Sequence, residues 1–344
     1  MKKVLFLLLS VVTLNSYADW LYNKSSNKLT ECDANGVVLS ESPWSFTVQV
    51  KSSAADCQSI SIWKTTAGAS TSINLQAPIH GDKAIIIEIG QDTFNYNFVK
   101  KYIKEVKLPL ELTSIGYNAF YGQSELVHVE PFLPEGVNFL GQGSFQNCAI
   151  TNALRLGYGD GTVSVGNYAF QGNDLPSVDA GPGVQVFPQS TFYNCDKLGS
   201  VKLSDSFKTF GPSAFYGCSA LTNITPFLPD SVTSIGAQSL HVAKNITGTF
   251  SFIANNQPAS INGDCISLTG VTNICFGNGD IFIANNALTT VQNVKTVKFG
   301  KGVLRLSSYG MQGFRVNSYA TRFDIPAGIT AWGEFVSTNK VMDW

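Results

Sequence analysis

Apolar residues recur along the chain in a short string that repeats every 22 to 25 residues. In each copy an apolar residue is followed by Gly or Pro, and a large apolar residue stands five positions after it, as in Ile115-Gly116-Tyr117-Asn118-Ala119-Phe120. These large residues, here called the key positions, are Phe120, Phe145, Phe170, Phe192, Phe215 and Leu240, and the register continues more weakly through Cys265, Leu288 and Met311. Self-similarity at such a period is the signature of a stacked repeat protein.

A second apolar pattern lies between the key positions and reads apolar-x-x-apolar-x-apolar, as in Ile103/Val106/Leu108. This alternation predicts one short strand in each unit. Two units carry the same inserted tetrapeptide, Pro131-Phe132-Leu133-Pro134 and Pro226-Phe227-Leu228-Pro229. One unit cannot bury its own apolar face, so the units must stack on one another. We therefore predict a β-rich solenoid of about ten leucine-rich repeat units, with the key positions stacked in its interior.

The two ends of the chain differ from the repeats. Residues 1–18 have Lys2 and Lys3, an apolar stretch and a small-x-small cleavage site, which together predict a Sec signal peptide. Residues 19–92 do not repeat, but they contain alternating runs that predict strands. We expect this segment to be a β-rich N-terminal cap, and a separate binding module is the alternative. The solenoid then spans 93–344, with a clear repeat to about residue 240 and a degenerate one after it.

Composition and charge exclude several classes of function. Charged residues make up only 14% of the chain and the formal net charge is −1, which leaves no basic footprint for nucleic acid. No run after the signal peptide approaches the roughly 18 apolar residues of a membrane span. The sequence therefore predicts export by the Sec route to the periplasm, the cell surface or the medium, with no integral membrane segment in the mature chain.

The repeat phrase resembles a known family. Leu228-Pro229-Asp230-Ser231-Val232-Thr233-Ser234-Ile235-Gly236 and Ser213-Ala214-Phe215-Tyr216-Gly217-Cys218-Ser219-Ala220-Leu221 match the phrase LPxxVxxIGxxAFxxCxxL of the BspA-like leucine-rich repeat proteins. The resemblance is strong from about residue 113 to 236 and faint beyond it. It implies a curved solenoid, secreted or on a bacterial surface, and often linked to adhesion to host proteins or other cells. It carries no catalytic residues.

Seven cysteines in an exported chain raise the question of disulfides. Cys32 and Cys57 flank the first strands of the cap, and we expect a disulfide between them. Cys148, Cys195 and Cys218 each stand three residues after a key Phe, a phase that places them inside. For Cys195 and Cys218, on neighbouring rungs, two interpretations are open: buried thiols, which we favour, or a disulfide.

Candidate binding residues come from three positions in the repeat. Phe132 and Phe227, in the inserted tetrapeptides, are candidates for exposed apolar anchors. Tyr121, Tyr193 and Tyr216 each follow a key Phe and either contact a partner or pack over the turn. His128 lies on a predicted strand. The outward strand positions Lys107, Glu130, Arg155, Asp179 and Lys202 alternate in charge, which either sets the strand register or forms a ligand stripe.

Catalysis finds no support in the sequence. The three histidines lie at unrelated phases of the repeat, no nucleophile or phosphate-loop motif occurs, and no metal or cofactor is implied. The leading hypothesis is an exported, non-catalytic recognition scaffold of the adhesin type, whose partner is a protein or glycan surface. A self-assembling structural protein of the cell envelope is the alternative, and a glycan-active enzyme is the least favoured hypothesis.

Overall fold

The computed structural model describes residues 18–40, 42–53, 57–225 and 228–241, and after these the segments 247–252, 259–263, 270–276, 281–284, 296–298, 304–306 and 322–324. Nearly all of the predicted signal peptide and the weak key positions Cys265, Leu288 and Met311 lie outside the described residues. In the part of the chain that the structure describes, no helix is long and apolar enough to cross a membrane.

The N-terminal elements are seven strands and one short helix: β1 (Asp19–Asn23), β2 (Lys28–Cys32), β3 (Ser45–Ser53), β4 (Gln58–Thr66), β5 (Ser72–Asn74), β6 (Ile79–Gly81), β7 (Ala84–Ile89) and α1 (Tyr96–Val99). Strands β1 to β4 pair in antiparallel order, and β6 adds to β1 in parallel. Parallel pairing between successive coils begins with β5 and β7, which both precede the predicted cap boundary at residue 92. That boundary stays a prediction.

The coils that follow contain two short strands each. Their bounds are β8 (Glu105–Lys107), β9 (Ser114–Ile115), β10 (His128–Glu130), β11 (Phe139–Leu140), β12 (Leu154–Leu156), β13 (Ser164–Val165), β14 (Ser177–Ala180), β15 (Val186–Phe187), β16 (Ser200–Lys202), β17 (Thr209–Phe210), β18 (Asn223–Thr225) and β19 (Ser234–Ile235). The later strands are β20 (Thr247–Phe252), β21 (Ala259–Ile261), β22 (Gly270–Phe276), β23 (Ile281–Ile283), β24 (Thr296–Lys298), β25 (Leu304–Leu306) and β26 (Arg322–Asp324).

Strand β5 and the even-numbered strands from β8 onward form one side of the solenoid, and odd-numbered strands from β7 form another. The first side consists of three parallel sheets, ordered β5-β8-β10, β12-β14-β16-β18 and β20-β22-β24-β26. On the second side β7-β9-β11-β13 continue the sheet of the N-terminal strands, and β15-β17-β19-β21-β23-β25 form another. The described part makes about eight turns, which confirms the predicted solenoid, and the number of about ten units stays a prediction.

The key positions form the predicted interior ladder. Rings of Phe94, Phe120, Phe145, Phe170, Phe192 and Phe215 stack in that order, with centroids 4.9, 4.9, 5.8, 5.6 and 5.2 Å apart. Each of these rings is fully buried, as is Leu240 on the next coil. Phe94 extends the ladder by one coil toward the N-terminus, where it also meets Phe46 at 5.5 Å. The apolar cores of the N-terminal strands and of the following coils are therefore continuous.

The residue three positions after each key Phe donates a hydrogen bond to the key Phe carbonyl of the preceding coil. The donors are Gln123 Nε2, Cys148 Sγ, Asn173 Nδ2, Cys195 Sγ and Cys218 Sγ, at 2.6, 3.1, 2.7, 3.2 and 3.1 Å. Backbone carbonyls buried in a stacked interior need such partners. The three cysteines are buried free thiols, which confirms the favoured interpretation for Cys195 and Cys218.

The glycine of the repeated string lets adjacent coils touch. A Cβ on Gly141 would lie 2.4 Å from the backbone nitrogen of Tyr117, and one on Gly166 would lie 2.3 Å from that of Gln142. Both contacts are with backbone, which cannot rotate away. A side chain at this position would therefore push the coils apart, which explains why Gly recurs there.

The predicted disulfide between Cys32 and Cys57 is wrong, because both are free thiols. The strand register explains their separation. Thr30 pairs with Ser45 at one end of β3, so Cys32 lies at that end, whereas Gln58 pairs with Ser53 at the other. A nine-residue strand is on the order of 25 Å long, and a disulfide needs Cα atoms within about 7 Å.

Candidate functional site

Each even-numbered strand from β8 to β18 carries one or two outward-facing polar side chains. Together these side chains form a surface that we call the strand face. Buried and outward-facing residues alternate along each strand, as on β12, where Arg155 is exposed between the buried Leu154 and Leu156. The outward residues are Glu105, Lys107, His128, Glu130, Arg155, Ser177, Asp179, Ser200, Lys202, Asn223 and Thr225. The two-residue period of a strand turns these side chains to the same side of the sheet.

Opposite charges face each other on adjacent strands of this surface. Lys107 pairs in register with Glu130, and their side chains are 4.0 Å apart. Asp179 lies between Arg155 and Lys202 in the register, and it is 3.4 Å from the Lys202 ammonium. The alternating charges therefore lie in register from strand to strand within each of these two sheets, as the sequence pattern predicts.

The alternation is interrupted between β10 and β12, which do not pair. Arg155 therefore has a different partner from the one that the alternation suggests, and its guanidinium donates to Glu135 at 2.6 Å. Glu135 follows the inserted tetrapeptide and is exposed. At this break a side chain replaces the strand hydrogen bond, since the Val129 amide donates to Asn152 Oδ1 at 3.0 Å.

Tyr158 joins the charged groups on the two sides of Asp179. Its hydroxyl donates to Asp179 Oδ1 at 2.5 Å, and the Arg155 guanidinium lies 3.8 Å above its ring. Burial and the hydrogen bond to Asp179 raise the pKa of Tyr158. The hydrogen bond with Tyr158 and that with Asp179 raise the pKa of Lys202. Both groups therefore hold their protons at neutral pH.

His128 is exposed on β10, the second of the six strands of the strand face. The other two histidines lie elsewhere, His80 on β6 and His241 in a turn. Among the described residues, no group of three or more His, Cys, Asp or Glu side chains could hold a metal ion.

Phe132 is a correction to the sequence interpretation. It is only 9% exposed, and its ring meets those of Phe145 and Phe170 edge-on at 5.7 and 6.1 Å. The inserted tetrapeptide folds inward because a large apolar ring gains more from the interior than from water. Phe132 is therefore part of the core, and the prediction of an exposed anchor is wrong. Phe227 lies outside the described residues.

The predicted tyrosines lie on the turns that follow the key positions. Tyr121, Tyr193 and Tyr216 are half-buried, and the last two stack with centroids 5.1 Å apart and planes 9° from parallel. His241 continues this stack at 5.7 Å from Tyr216. The structure thus separates the sequence-predicted residues into three places: the strand face, the turns and the core. Sequence reasoning missed His241, although it occupies the same repeat position as the tyrosines.

Bacterial leucine-rich repeat proteins are among the solved structures to which this chain is similar. One from Bacteroides ovatus has 18% identity and a TM-score of 0.46, with 85% of this chain and 83% of that chain covered. A leucine-rich repeat protein from T. pallidum has 19% identity and a TM-score of 0.38, with 74% and 83% covered.

A search of curated protein sequences finds no significant match. A family model described as the BspA type leucine rich repeat region matches in six copies, over residues 87–156 and 155–259. These matches cover half of the chain and include the whole run of coils that builds the ladder and the strand face. The chain therefore belongs to the BspA-type leucine-rich repeat family.

Proposed function

We propose that this chain is an exported, non-catalytic recognition scaffold that binds a protein on a cell or matrix surface through the strand face. The observation that carries the proposal is the strand face itself, a row of parallel strands with outward polar side chains at one repeat per coil. Six rungs about 4.8 Å apart give a surface roughly 25 Å long, and extended solenoid surfaces of this kind serve binding.

The electrostatics favour a partner with a mixed polar surface. Positive and negative groups alternate along the strand face, so its net field is small and capture of a strongly charged polymer is disfavoured. Arg155 and Tyr158 together offer a planar cation and a phenol, which are residue types enriched where proteins bind one another. The mixed charges would fix the orientation of the partner.

The buried thiols are compatible with export. Cys148, Cys195 and Cys218 are at most 3% exposed, and burial raises their pKa values. The thiolate is the reactive form in oxidation and disulfide exchange, so these groups resist both. A chain of this kind can enter an oxidising compartment without cross-linking through its interior cysteines.

The test is binding of residues 19–344 to arrays of matrix proteins and to bacterial cells. The strand-face variant combines Arg155→Ala with Lys202→Ala, and the matched control combines Lys83→Ala with Lys208→Ala, two exposed lysines away from that face. We expect saturable binding that falls at least tenfold in the strand-face variant and is unchanged in the control. Equal binding by both variants, or no saturable binding, would contradict the proposal. Concentration-dependent assembly of the chain alone would favour the structural alternative.

A further inference from the structure

A second surface repeats along the solenoid, on the turns that contain the key positions. It comprises residues 116–123, 141–148, 166–173, 188–195, 211–218 and 236–241, and we call it the turn face. Two rows of side chains run along it, one before and one after the buried key residue. The first row is Tyr117, Gln142, Asn167 and Gln189, continued at the same phase by Pro212 and Ala237. The second row is Tyr121, Gln146, Gln171, Tyr193, Tyr216 and His241.

The backbone holds the second row at one side chain per coil. Amides of Gly122, Asn147, Gly172 and Asn194 donate to the carbonyls of Gln146, Gln171, Tyr193 and Tyr216 on the following coils, at 2.9, 2.8, 2.9 and 2.7 Å. Side chains of adjacent coils also meet. Gln146 Nε2 donates to Gln171 Oε1 at 3.2 Å, and the rings of Tyr193, Tyr216 and His241 form a near-parallel stack. The row is thus ordered before any ligand arrives.

The turn face has no formal charge from lysine, arginine or acidic side chains. None of its six segments contains Asp, Glu, Lys or Arg, although these residues are 14% of the chain. The polar groups in its two rows are amides, phenols and one imidazole, most of which both donate and accept hydrogen bonds. Tyr193 and Tyr216 are half-buried, so part of each side chain stays accessible to a ligand. A neutral partner that is rich in groups that both donate and accept hydrogen bonds complements this face.

We propose that the turn face binds an uncharged polysaccharide that runs along the solenoid axis. Sugar hydroxyls both donate and accept, so they match amides and phenols, and a neutral chain avoids the cost of stripping water from charges. The distance between successive rings favours a polysaccharide over an extended peptide as the ligand. Tyrosine and histidine rings repeat at 5.1 and 5.7 Å, close to the length of one pyranose ring in an extended chain. Side chains on one side of an extended peptide repeat at roughly 6.6 Å instead.

The test uses neutral gluco- and manno-oligosaccharides of three to six residues and an anionic oligogalacturonate, with binding measured by calorimetry. The turn-face variant combines Tyr193→Phe and Tyr216→Phe, which keep the ring stack, with Gln142→Ala and Gln189→Ala at exposed positions. The strand-face variant described above is the control. We expect one neutral series to bind at least tenfold more tightly at six residues than at three, with no effect of 0.5 M NaCl.

The turn-face variant should weaken that binding at least tenfold while its circular dichroism and thermal midpoint stay unchanged, and the strand-face variant should bind normally. Preference for the anionic oligomer, equal binding by the turn-face variant, or no binding of any neutral hexasaccharide would overturn the proposal. Self-association that Gln142→Lys abolishes, without glycan binding, would assign the face to copies of this chain instead.

Discussion

Replacement of Phe145 by Ala tests the interior ladder at one of its two central rings. Phe145 is fully buried, stacks between Phe120 at 4.9 Å and Phe170 at 5.8 Å, and meets Phe132 edge-on at 5.7 Å. Loss of the buried ring removes about 1.5–3 kcal/mol of transfer free energy. The cavity adds to this because coils locked by backbone hydrogen bonds cannot close around it. We therefore expect the free energy of unfolding to fall by about 3–5 kcal/mol.

The assay is urea unfolding followed by circular dichroism, with two matched variants. Phe145→Leu keeps most of the apolar volume and should cost about 1–2 kcal/mol. Phe98→Ala makes the same substitution on α1, where the ring is 71% exposed, and should change stability by at most about 0.5 kcal/mol. If Phe145→Ala and Phe98→Ala cost the same, the interior stack does not hold the coils together and the reasoning fails.

Three further predictions concern the thiols and the charges. In the native protein a thiol reagent should modify the half-exposed Cys57 and Cys275 and spare the buried Cys195. Mass spectrometry of the labelled peptides checks this, and rapid labelling of Cys195 would contradict its burial. Burial raises the pKa of Cys195 to about 12, so the folded state holds the proton that the unfolded chain loses near pH 9, and stability must fall as pH rises between these values. Relative to Cys195→Ala, the wild type should lose about 2 kcal/mol between pH 8 and 10.5, and parallel pH profiles would refute this. Asp179→Asn should lower the thermal midpoint by at most about 2 °C in low salt and leave it unchanged in 1 M NaCl. The reason is that the contact between Asp179 and Lys202 is exposed and screened by salt. A lower thermal midpoint that persists in high salt would indicate a loss of packing instead.

The ladder could be predicted from the sequence because each coil buries a large apolar residue at the same position of the repeat. A large apolar residue at one phase, with Gly four positions before it, is enough to place Phe120, Phe145 and Phe170 inside the same column. The strand register follows in the same way, since an inward residue on one coil must lie over an inward residue on the next. Periodicity thus encodes both burial and pairing.

Features that depend on more than one coil could not be predicted. Phe132 belongs to an insertion, and a loop is ordinarily expected at the surface. Only the structure shows that the space beside Phe145 and Phe170 admits a third ring. Cys32 and Cys57 looked close because they flank neighbouring strands, but the length of the β3–β4 pairing separates them. Sequence proximity carries no information about which ends of a long hairpin meet.

The solenoid places equivalent side chains about 5 Å apart, and this spacing itself constrains charge. Like charges repeated on every coil would repel by roughly 1 kcal/mol per pair even in water. The strand face avoids this by alternation, as between Asp179 and Lys202, and the turn face avoids it by carrying no such charges. Neutrality of the turn face therefore has two explanations, stability of the array or recognition of a neutral ligand.

A paired charge substitution on the turn face separates the two explanations. Gln146→Lys combined with Gln171→Glu replaces a 3.2 Å amide contact between neighbouring coils with opposite charges in the same places. The free energy of unfolding should stay within about 0.5 kcal/mol of the wild type, because an exposed ion pair is worth little more than the contact that it replaces. If the face recognises a neutral glycan, oligosaccharide binding should nevertheless fall at least tenfold, since both new charges must lose water on contact. If binding is unchanged in this stable variant, the absence of charge serves only the stacking of the coils.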